Sequence, residues 1–165
     1  MTAIAAPQIH TPATIQTPML AYLQGLHDQW LKEVRRVLEP ACDEEAGLWL
    51  RWRAIEYLET GFQRRFERER RAVLSLHIRL TSAQASHLWA ASELLTQLLD
   101  GLGRRVGLCQ HGEQFTAVAL TVMSALEYWC RQVEEALGRV RWGDVSPESR
   151  HQFEVISYDE AIQGG

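Results

Sequence analysis

The chain has 165 residues, enough for one domain, and 46% of them are hydrophobic, enough for a packed core. Its formal net charge is −4, and residues 143–165, with five acids and one arginine, carry all of it. Residues 1–142 are therefore neutral overall, which excludes a protein-wide field steering the chain to nucleic acid or anionic lipid.

Cys42, Cys109 and Cys130 are odd in number, widely spaced and free of any C-x-x-C pair. That pattern argues against a disulfide framework and for a reducing, cytoplasmic setting. No run of about 18 apolar residues suggests a membrane span. The N-terminus lacks the basic and apolar regions of a signal peptide. Sixteen arginines against the single Lys32 suggest a GC-rich, bacterial coding sequence.

Residues 1–16 are rich in Thr, Ala and Pro without periodicity and read as a disordered arm. Residues 17–142 read as one helical domain, and 143–165 as a flexible acidic tail. Thr17-Pro18 places a capping residue before a proline suited to the first helical turn. Met19, Leu23, Leu26, Trp30, Val34, Val37 and Ala41 then recur at helical steps. Pro40 disfavours the α conformation at Glu39, so the first helix is expected over about 18–39.

The next stretch, about 41–80, reads as one long helix. Leu48, Trp52, Ile55, Phe62, Phe66, Val73, Leu76 and Leu80 form a heptad seam, with Glu59 and Glu69 in its two missing slots. The seam's phase runs unbroken across Gly61, so a continuous helix is expected there despite the cost of glycine. Acids dominate the first half and arginines the second, which suits the helix dipole.

Thr81 and Gln84 match a capping box. Leu88, Ala91, Leu95, Leu98 and Leu102 follow, and Gly101 and Gly103 supply a stop, giving a third helix over about 82–102. A fourth, over about 113–141, carries two apolar stripes and is expected to be the most buried. Ser146-Pro147-Glu148 suits one more short turn. The fold expected is all-α: an elongated antiparallel bundle of four main helices.

Several residues invite a functional reading. Arg64, Arg68, Arg71 and Arg79 share one face opposite the seam and span about 22 Å along the axis. Such a row suits successive phosphates or an acidic protein surface, including the chain's own tail. Trp49 and Trp89 lie off the main stripes and are expected to be exposed, as at a protein interface. Glu59 and Glu69 are about 15 Å apart along the axis and cannot share an ion unaided; they read as edge residues paired to arginine or wet. The only Glu-x-x-His is Glu148–His151, in the tail. Cys109-Gln-His111 lacks the further ligands of a zinc site and the orienting partner of a cysteine nucleophile. No catalytic, metal or cofactor-binding residue is assigned.

The leading expectation is thus a non-enzymatic helical adaptor or regulatory subunit that binds a protein partner, with itself among the candidates. A nucleic-acid-associated accessory protein using the arginine face is the first alternative. A binder of an apolar ligand in a tryptophan-lined pocket is the second.

Overall fold

The computed structural model describes residues 11–75, 80–105, 107–140, 145–148 and 151–152, with side chains from residue 20 onward. The described elements are α-helical apart from short π and 3-10 turns: α1 (Thr11–Ala41), α2 (Leu48–Tyr57), a π-helical turn (Leu58–Phe62), α3 (Gln63–Leu74), α4 (Ser82–Leu99), a 3-10 turn (Leu102–Arg104) and α5 (Gly112–Leu137). The backbone is continuous from α2 through the π turn into α3, so these three make one central helix. With α1, α4 and α5 it forms the expected all-α arrangement of four main helices.

Neighbours run antiparallel. Leu20, His27, Arg35 and Cys42 of the first helix and its end meet Gly138, Glu134, Glu127 and Thr116 in turn. Ala41, Glu33 and His27 meet Arg51, Arg65 and Glu69 of the central helix. The core is closed by apolar residues from every helix, with Trp30 edge-on to Phe62 and Phe66 edge-on to Trp129 at centroid distances of 5.6 and 5.4 Å. α5 buries the widest face, ten residues of it.

Several boundaries differ from the sequence expectation. The first helix begins at Thr11 rather than 18, so residues 11–16 are helical; Thr11-Pro12 repeats the Thr-Pro start signal six residues earlier. The same helix runs through Pro40 to Ala41, so the proline sits in its last turn with almost no helix after it to disrupt. The central helix is shorter than 41–80. A turn over 42–47, in which Asp43 Oδ1 accepts from the Glu45 N–H, delays it to Leu48, and it closes at Leu74.

The local signals behave as their chemistry dictates. Thr81 and Gln84 form both bonds of the capping box, each 3.1 Å. Gly101 takes φ +75° just past α4, a conformation that costs a residue with a Cβ.

The seam of the central helix holds in part. Ile55, Phe62, Phe66 and Val73 are buried as expected, but the buried set also takes in Arg51, Ala54, Leu58, Arg65, Glu69 and Ala72. Arg51 and Leu58 take the inward places expected of Trp52 and Glu59, which are exposed and half-buried. A π turn holds an extra residue without breaking the helix, and its effect is to rotate α2 relative to α3. Leu48 and Trp52, expected in the core, face outward instead.

Candidate functional site

Outward rotation of α2 produces an apolar surface. Trp49 is 68% exposed, Leu48 55% and Trp52 47%, with Leu50 exposed between them. These side chains and Ile55 form one wall of a groove of about 600 Å³. The opposite wall is Leu102 and Gly103 of the 3-10 turn, then Arg105, Cys109 and Gln110 of the following loop.

The walls are fixed by polar contacts beneath them. Arg51, buried on the inner face of α2, donates to the Ala41 carbonyl at 3.2 Å and the Cys109 carbonyl at 2.9 Å. One guanidinium thus joins the end of α1, the start of α2 and the far wall. Glu59, carried by the π turn, packs its carboxylate against Gly103 so closely that a Cβ there would collide with it. At the rim the Arg53 guanidinium lies 5.9 Å from the Trp49 ring centroid. Arg105 is exposed, and Asp43, Glu44 and Glu45 are exposed on the turn that leads into α2.

A second polar constellation is sealed in the core. His27 of α1 is 1% exposed and Glu69 of α3 is 0% exposed. The imidazole Nε2 meets Glu69 Oε1 at 2.5 Å, and Nδ1 meets Glu134 Oε2 of α5 at 2.8 Å. Trp129 Nε1 donates to the same Glu69 oxygen at 3.1 Å. Burial alone would favour the neutral ring. The Glu69 charge and hydrogen bonds involving Cys130, Glu134 and Glu69 outweigh it and push the His27 pKa up to about 12. Burial also pushes the Cys130 thiol up, against the pull of His27. Glu69 therefore corrects the expectation of a wet edge residue. The central helix turns it inward, where a histidine on α1 stands opposite.

Near the middle of the bundle, Glu33 accepts from Arg65 at 2.8 Å and from the Tyr57 hydroxyl at 2.8 Å. Burial works against ionised Glu33, but the bonds from Arg65 and Tyr57 win and hold its carboxyl below the usual range. Burial and Glu33 together push the Tyr57 hydroxyl up.

The remaining sequence candidates separate. Arg64 and Arg71 are exposed, and Arg71 Nε donates to the Glu67 carbonyl at 3.4 Å. Arg68 is half-buried, and Arg79 lies outside the described residues, as does most of the acidic tail. Trp89 is exposed but lies under the Arg70 guanidinium, 5.5 Å from its centroid, while Arg70 also bonds Glu93 at 3.1 Å. Cys109 is buried in the groove wall and His111 is exposed at the start of α5. Burial pushes the Cys109 thiol up, with Arg51 opposing, which disfavours the thiolate a nucleophile needs. Among the described residues no three His, Cys, Asp or Glu side chains are grouped to hold a metal ion, and no helix is long and apolar enough to cross a membrane.

Sequence reasoning singled out Trp49 and missed the groove, because the loop forming the far wall has no periodicity to read. It also missed His27 as a partner for Glu69. The signal was present: His27 lies four residues after Leu23 and three before Trp30, on the inward stripe. Set against known proteins, the chain matches no family model, no curated protein and no solved structure.

Proposed function

We propose that this chain is a non-enzymatic helical adaptor that engages a protein partner through the groove between α2 and the 102–110 segment. The observation that carries this reading is the exposure of two seam positions, Leu48 and Trp52, which lie beside Trp49 in the groove wall rather than in the chain's own core. Tryptophan and arginine are the side chains most enriched at binding hot spots, and this patch has Trp49, Trp52, Arg53 and Arg105 together. Groove sites commonly receive an amphipathic helix by its apolar anchors. The acid–base constellation of the core does not compete as a catalytic centre, since His27 and Glu69 are closed to solvent.

Titration with an apolar anionic dye such as bis-ANS tests the groove. Wild-type protein should bind it with a fluorescence rise, and Trp49→Ala/Trp52→Ala should bind at least tenfold more weakly with unchanged helix content. Equal binding by both proteins would overturn the reading.

A second reading, a small apolar ligand as the natural occupant, is favoured by the groove's size, which falls within the range of small-molecule sites. Native mass spectrometry of the purified protein discriminates, since such a ligand would appear as a bound mass lost in the double variant.

A further inference from the structure

The groove is apolar along its length, and the charge built into its walls is of one sign. Arg105 is the only charged side chain among its described lining residues, and it is exposed with no ion pair among the described residues. Directly behind the Cys109 wall lies Arg51, 7% exposed, whose bonds go to the Ala41 and Cys109 carbonyls and not to a carboxylate. A cation held behind an apolar wall without a counter-charge favours an anion brought to that wall, because water screens the attraction little there. Arg53 adds positive charge at the rim, against Trp49. Acids stand near the groove but do not line it. Asp43, Glu44 and Glu45 precede Leu48, Glu56 is exposed on α2, and Glu59 is turned onto Gly103.

The walls also select a backbone. Leu48 to Ile55 is about 10 Å of helix, which matches roughly two turns of a second helix. The far wall is a 3-10 turn and a loop, with no strand edge among the described residues. An extended peptide laid there would bury N–H and C=O groups with no ladder to pair them, whereas a helix satisfies its own. We infer that the groove's occupant is an acidic amphipathic helix of a partner protein, its apolar side chains seated on Leu48, Trp49, Trp52 and Leu102 and a neighbouring carboxylate meeting Arg105. This rests on the groove being a protein-binding surface and names the chemistry of the partner. The tryptophans supply the apolar contact area, and Arg105 supplies the choice between partners.

Two fluorescein-labelled helical peptides of about 16 residues, differing only in charge, test this on the full chain by fluorescence anisotropy. Both carry leucine at i, i+3, i+4 and i+7, with glutamate in one and lysine in the other at the flanking positions. The glutamate peptide should bind about tenfold more tightly than the lysine peptide at low salt. The whole chain carries −4, so long-range charge works against that order and the preference is local to the groove. Arg105→Glu should abolish the preference, and Arg105→Lys should keep most of it. Trp49→Ala/Trp52→Ala should weaken both peptides. Equal affinity for the two peptides overturns the inference, as does a preference that survives Arg105→Glu. The dye titration separates this failure from failure of the groove itself. Protein that binds dye through Trp49 and Trp52 but neither peptide keeps the groove and loses the acidic helix. Protein that binds neither dye nor peptide loses both.

Discussion

His27 makes two hydrogen bonds to carboxylate oxygens, and only the imidazolium can donate both at once. Glu69 Oε2 is buried without a hydrogen-bond partner among the described residues. Removing one member of a buried ion pair strands the other charge at a cost of about 3–5 kcal/mol, whereas removing both often costs little. His27→Leu and Glu69→Leu should each lower the unfolding free energy by that order. The double variant should fall short of their sum by more than about 1 kcal/mol in urea titrations; simple additivity would mean the two side chains do not interact. The pH dependence has a definite sign. A histidine whose folded pKa is raised from 6.5 to about 12 stabilises fully below pH 6.5 and loses that contribution as the pH climbs. The stability gap between wild type and His27→Gln should narrow by about 1 kcal/mol per pH unit from pH 7 to pH 10. A gap that holds constant would mark the ring as neutral. Glu69 and His27 were each visible in the sequence as polar residues on an apolar stripe. Their pairing was not, since it joins residues 42 apart and depends on which helices meet.

At the scale of elements, the π turn is the feature with the largest consequence. It is a wide turn of five residues, Leu58–Phe62, inside an otherwise α-helical segment, and such a bulge holds one residue more than the α-helix it interrupts. Deleting the exposed Thr60 should therefore convert the turn to ordinary α-helix and leave the buried set intact, with the melting temperature within a few degrees of wild type. Deleting Arg64, in regular helix, should shift the faces against each other and abolish cooperative melting. If both deletions are equally harmful, the extra-residue account fails. Capping signals such as Thr81 and Gln84 could be read from the chain because both partners lie within one turn. The π turn could not. The heptad positions run in phase across Gly61, and the inward place of Arg51 is set by tertiary contacts, to the Ala41 and Cys109 carbonyls, that no local pattern records.

For the whole molecule, four helices and their order were legible from apolar periodicity, because burying one stripe per helix leaves few other arrangements. The groove was not. It joins α2 to a glycine-containing loop 50 residues later, held by the hydrogen bonds of a single arginine, Arg51. The outcome is a closed bundle with an apolar, tryptophan-bearing groove between α2 and the 102–110 segment, and we take that surface as the working part of the protein. Hydroxyl-radical footprinting of dilute protein, read by mass spectrometry, tests this most directly. Trp49 and Trp52 should oxidise rapidly, while Trp30 and Trp129 stay unreactive. Trp49 and Trp52 as unreactive as Trp30 in dilute protein would contradict the outward rotation of α2 and the function built on it.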